Sequence, residues 1–167
     1  MALSMYQASV PVFVQYLNGL SRVLDKAAPV VEARKIDPAV LAGLRLYPDM
    51  LPFARQIQIA ADNAKGAVAR LAGIDIPKYE DTETTLAEFK ARVAKTIDFV
   101  QGVKAAQIEG SEDRTIVLPI GQNKIEFKGA DYLTTFALPN FFFHVVTAYD
   151  ILRHIGVEIG KRDYMNR

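Results

Sequence analysis

Apolar residues recur at helical spacing four times along the chain. Tyr6, Val10, Phe13, Leu17, Leu20 and Leu24 stand alternately four and three residues apart, the seam of a helix that buries one face. Met50, Ala54, Ile57, Ala61, Ala64, Val68 and Leu71 repeat the pattern, and their alanines would let a neighbouring helix approach closely. Leu86, Phe89, Val93, Ile97, Val100 and Lys104 mark a third helix, with Lys104 at its fraying end. A fourth runs from about Gly129 to Ile155. It is apolar on nearly every side, so it is expected to be the most buried.

Local signals set the ends. Pro11 should kink the first helix, because proline lacks an N–H and crowds the preceding turn. Pro29 is expected to open a short following helix, and Asp37-Pro38 reads as an N-cap followed by a first-turn proline. The second long helix should begin near Asp49, with Pro52 in its first turn, and end at Gly73 as a left-handed cap. A connector from Ile74 to Asp81 follows. Thr85-x-x-Glu88 is a capping-box pattern opening the third helix. Ile116-Val117-Leu118 and Ile125-Glu126-Phe127 flank Gly121-Gln122-Asn123-Lys124, which predicts a small β-hairpin capping one end of the helices. Gly156 should cap the fourth helix, and Pro139 should bend it. The fold expected is all-α: one domain over residues 1–167, an antiparallel four-helix bundle with a hairpin between helices three and four.

Composition narrows the chemistry. The 167 residues are half hydrophobic, ample for one core. Twenty basic residues against nineteen acidic ones argue against a general grip on nucleic acid. There is no cysteine, which excludes disulfides, zinc-thiolate sites and a cysteine nucleophile. The opening residues carry no basic stretch followed by an apolar run, so no signal peptide is expected. His144 and Asp150 interrupt the run around Phe141-Phe142-Phe143 too early for a membrane span. A bacterial, cytoplasmic location is the expectation.

The fourth helix carries a polar stripe. Leu133, Ala137, Asn140, His144, Thr147 and Ile151 share one face, and polar groups in a core need partners. One reading is a satisfied network fixing helix register, with Asp49, Gln56 or Arg45 as partners. The other is a pocket at the Pro139 bend, where the freed carbonyl of Thr135 also faces a partner. His144 and His154 cannot share an ion, since ten helical residues separate them by about 15 Å. His154 suits the negative end of the helix dipole. Asp49 has a competing role as an N-cap. Asp81 and Glu83 read as solvated connector residues, and Lys161-Arg162-Asp163 as a tail that either clamps an anion or hooks onto the bundle. No phosphate loop, dinucleotide glycine pattern, nucleophile elbow or His-Glu-x-x-His motif is present.

Three stretches carry a resemblance: Arg45-Leu46-Tyr47-Pro48-Asp49-Met50; Leu138-Pro139-Asn140-Phe141-Phe142-Phe143-His144; and Ala148-Tyr149 through Ile151-Leu152-Arg153-His154 to Gly160-Lys161-Arg162-Asp163. Together they resemble an uncharacterised bacterial subfamily of the DinB/YfiT-like four-helix bundles, a metalloenzyme superfamily, across essentially the whole chain. The resemblance implies a divalent metal, zinc or nickel, on three histidines, one from the second helix and two from the fourth spaced His-x-x-x-His. It also implies group transfer involving low-molecular-weight thiols in some members, and a homodimer. This chain reads Asn140-x-x-x-His144 and has no histidine on the second helix, where Asp49 or Gln56 stand nearest. Amides are poor ligands for zinc or nickel.

The function expected is therefore a small-molecule-binding or interaction module with a polar pocket on the fourth helix, working without metal or other cofactor. Arg45, Gln56 and Thr147 are its pocket candidates. The alternative is an enzyme with a site rebuilt around His144, Asn140 and Asp49: a metal-assisted hydrolase, with His144 as the remaining weak ligand, or a thiol-dependent transferase whose thiol comes from a bound small molecule. In a third reading the polar layer specifies helix pairing and function lies in dimerisation.

Overall fold

The computed structural model describes residues 3–167. Four long helical units form the bundle: α1 (Met5–Ala33), α3 (Phe53–Ala72), α4 (Leu86–Gly102) and a fourth helix built of α6 (Gly129–Asp131), a π-helical stretch (Tyr132–Ala137) and α7 (Leu138–His154). Three short helices punctuate the loops: α2 (Pro38–Gly43), α5 (Ala105–Ile108) and α8 (Lys161–Tyr164). The antiparallel strands β1 (Thr115–Ile120) and β2 (Asn123–Lys128) pair Ile116 with Phe127 and Leu118 with Ile125 across a two-residue turn. Gly121 supplies the positive φ of 61° that this turn requires. The hairpin covers the start of the fourth helix, with Phe127 packed on Phe136 at 5.5 Å and on Tyr132 at 6.2 Å between ring centres.

The expected bundle is present. Its core stacks Phe13 on Phe141 edge to face at 5.0 Å and Phe53 on Phe89 at 5.8 Å, geometries that aromatic quadrupoles favour. Gly73 takes the left-handed cap, Asp37 caps α2, and Thr85 with Glu88 closes the capping box of α4. A second capping box, Ser4 with Gln7, opens α1.

Four expectations are corrected. Pro29 opens no new helix; α1 runs through it to Ala33. Pro29 lies on the exposed face, where water can replace the lost backbone partner. The second long helix starts at Phe53, not Asp49: Pro52 is its N-cap, extended at ψ 165°, and Phe53 N–H donates to the Leu44 carbonyl at 2.7 Å. Lys104 leaves the third helix, which ends at Gly102, and caps α5. The most buried helix is α3 rather than the fourth: its alanines let its neighbours close around it, whereas α7 leaves Phe143 54% exposed.

Among the described residues no helix is long and apolar enough to cross a membrane.

Candidate functional site

Pro139 has no N–H for the carbonyl four residues back, and the helix answers by widening. Tyr132–Ala137 is π-helical, and Leu138 N–H donates to the Leu133 carbonyl, five residues back. Side chains reinforce the altered turn: Thr134 donates to the Ala130 carbonyl at 2.8 Å and Thr135 to the Asp131 carbonyl at 2.6 Å. Asn140 joins them, its Nδ2 donating to the Phe136 carbonyl at 2.7 Å. Thr147 likewise donates to the Phe143 carbonyl at 2.7 Å. Two members of the predicted stripe therefore turn back onto their own helix.

His144 reaches across instead. Its Nδ1 lies 2.7 Å from Oε1 of Gln56 on α3. Gln56 is buried, and its Nε2 donates to the Leu51 carbonyl at 2.8 Å. A carbonyl only accepts, so this bond fixes the amide with Oε1 toward the histidine. Nδ1 must then be the donor, and a neutral ring leaves its lone pair on Nε2. Nε2 has no protein partner among the described residues, yet it is not among the fully buried unpartnered atoms, so it meets solvent. Burial pushes the His144 pKa below its ordinary value, and the nearby Arg55 charge lowers it further. The result is a neutral imidazole presenting an oriented acceptor.

The remaining candidates sit elsewhere. Asp49 is exposed in the turn before α3. Arg45 donates to the Met50 carbonyl and closes that same loop. Neither shares a hydrogen bond with His144. His154 is exposed in the last turn of α7. The donors that the three-histidine set would need are one imidazole and two amides already committed to carbonyl and ring partners, a poor fit for zinc or nickel. Among the described residues no three His, Cys, Asp or Glu side chains converge as metal ligands.

About two turns before His144 on the fourth helix, a separate cleft of about 240 Å³ lies between α3, β1 and the π-helical stretch. Ile59, Asp62, Asn63 and Arg70 of α3 line it with Leu118 and Pro119 of β1 and Tyr132 and Phe136 of the π-helical stretch. Arg70 Nη1 donates to the Tyr132 hydroxyl at 3.2 Å.

A second polar centre was not foreseen. Arg92 of α4 has a side chain only 1% exposed. It pairs with Asp81 at 2.9 Å, Glu83 at 2.9 Å and Asp62 at 3.1 Å, and donates to the Glu80 carbonyl at 3.1 Å. Glu83, expected in solvent, is 14% exposed. Burial pushes its carboxyl up, but hydrogen bonds from Arg92 and Gln58 outweigh this and hold it below the usual carboxylate value. Tyr79 lies under three cations, Lys95 at 4.2 Å, Lys65 at 4.7 Å and Arg92 at 5.4 Å from its ring centre. The centre straps the connector between α3 and α4 to the bundle. Arg92 stands beside Val93 of the buried seam, but helical neighbours are rotated by about 100°, so the period alone does not mark it. The tail hooks: buried Asp163 pairs with Lys26 at 2.7 Å and Arg22 at 3.2 Å on α1.

The family model described as Domain of unknown function (DUF1993) matches residues 5–165. A crystal structure of a DinB family member protein from Shewanella denitrificans is 40% identical and superposes with a TM-score of 0.88, over 96% of this chain and 90% of that one. No curated protein matches the chain.

Proposed function

The chain belongs to the DUF1993 family of DinB-like bundles, and on that premise we propose that it is a metal-independent small-molecule-binding module whose pocket follows the groove between α3 and the fourth helix. The observation that carries this reading is the chain of bonds from the Leu51 carbonyl through Gln56 to His144. A histidine that only filled a core would have both nitrogens satisfied inside it. Here one nitrogen is clamped by a buried amide and the other is turned outward, the arrangement that orients an acceptor for a ligand donor.

The same lone pair favours a second reading, in which His144 Nε2 takes a proton from a bound substrate as general base. Its depressed pKa keeps it unprotonated at neutral pH.

The test has two parts. Chain purified without chelators or metal-affinity resin is expected to carry far less than one equivalent of divalent metal. A thermal-shift screen of small polar metabolites is expected to return binders whose effect is lost in His144→Phe. Stoichiometric metal, or binders indifferent to H144F, contradicts the reading.

A further inference from the structure

We propose that the cleft beside the π-helical stretch binds a small organic carboxylate with an apolar body, its carboxylate on Arg70 and the Tyr132 hydroxyl and its body against Ile59, Leu118, Pro119 and Phe136. This rests on the reading of the chain as a small-molecule-binding module and names the ligand class.

Charge comes first. Asp62 also faces the cleft, but its Oδ1 is matched by Lys65 at 3.0 Å and Arg92 at 3.1 Å. Among the described residues Arg70 has no carboxylate within salt-bridge distance, so the cleft retains an unmatched guanidinium. That planar fork suits a carboxylate, which it can hold through two parallel bonds.

The second observation is Tyr132. It is 2% exposed, and its oxygen accepts from Arg70. Its own hydrogen has no acceptor among the described residues, and a buried hydroxyl seeks one. Burial raises its pKa, more than the Arg70 charge pulls it back, so it keeps that hydrogen at neutral pH. Asn63, also in the wall, makes no side-chain hydrogen bond to the described residues and adds a third polar contact.

Size sets the body. A cleft of about 240 Å³ is smaller than the roughly 300–1,000 Å³ typical of drug-sized ligands. One ring or a short branched chain fits. The π-helical turn positions both Tyr132 and Phe136 on the wall, a placement common for such turns at functional sites.

The probe is benzoate, titrated into the ¹⁵N-labelled full chain and followed by amide shifts, with benzamide and inorganic phosphate as controls. Shifts are expected at residues 59, 63, 132 and 136, with binding in the millimolar range. Benzamide lacks the charge and phosphate the body, so each should bind at least about ten-fold more weakly. Arg70→Gln should cost about ten-fold or more and R70K less, since lysine keeps the charge but not the fork. Should R70Q misfold, the benzamide comparison on the natural chain still decides. No shift at the cleft up to about 20 mM benzoate (a limit near −2 kcal/mol of affinity), or equal affinity for benzamide, overturns the proposal. A metabolite that shifts residues 56 and 144 but not the cleft overturns this inference alone and leaves the general reading standing.

Discussion

Replacing Arg92 with methionine removes the guanidinium while keeping an apolar stem of similar reach. Three carboxylates would then face the gap unequally. Asp62 retains Lys65 at 3.0 Å, and Asp81 retains Arg55. Both are more than a third exposed, so solvent screens what they lose. Glu83 is 14% exposed and would keep a single side-chain partner, the Gln58 amide at 3.0 Å. Removing one member of a buried pair typically costs about 3–5 kcal/mol. With two of the three carboxylates screened, the loss should lie near the lower end, about 3 kcal/mol. At roughly 2–4 °C per kcal/mol for a chain of this size, Tm should fall by about 6–12 °C. Urea denaturation gives the free energy, and hydrogen exchange should show amides 78–84 opening faster as the connector loosens. A double variant R92M/E83Q should recover about 1 kcal/mol or more, because a neutral amide needs no countercharge. A loss below about 1 kcal/mol, or no recovery with E83Q, refutes the assignment of Arg92 as the group that holds the connector.

Three further outcomes follow from the same geometry. In Gly19→Ala the new Cβ would lie 2.1 Å from the Tyr164 carbonyl oxygen. The tail must shift off α1 at a cost of about 1–3 kcal/mol, visible as a lower Tm and faster proteolysis after Gly160. Thr85→Ala removes the side-chain half of the α4 capping box and should cost about 1 kcal/mol in urea denaturation. Acid should weaken the fold in two stages. Below the ordinary histidine value of 6.5 the unfolded chain takes up a proton that folded His144 resists, so stability falls there and H144F flattens that limb. Glu83 contributes fully above its ordinary value of 4.5 and loses that contribution as pH falls through its lower folded value, a limb that E83Q removes.

The bundle was legible because four seams, a capping box and a left-handed glycine all encode local geometry. What escaped was the competition between neighbours. Asp37 caps α2 as read, but Asp49 does not cap α3, because Pro52 and the Leu44 carbonyl already serve that end. Spacing placed Asn140, His144 and Thr147 on one face correctly. It could not show that a short amide and a hydroxyl would satisfy the carbonyl four residues back, leaving the imidazole alone to cross to α3. Gln56 was among the named partners and is the one His144 meets. The π-helical stretch had one signal, Pro139, which demands a break without specifying its form. Arg92 was hidden because its partners Asp81 and Glu83 lie in a segment of no regular period, where acidic residues read as solvated.

His144 must be held by Gln56 for the proposed site to exist, and long-range ¹H–¹⁵N NMR of its ring observes that bond directly. Nδ1 should appear protonated and Nε2 as a bare lone pair at neutral pH, with a titration midpoint below 6.5 that moves further down, and a tautomer that scrambles, in Gln56→Leu, because the Oε1 acceptor favours the charged ring and leucine does not. A ring protonated on Nε2, or a midpoint at or above 6.5 that ignores Q56L, would contradict that assignment.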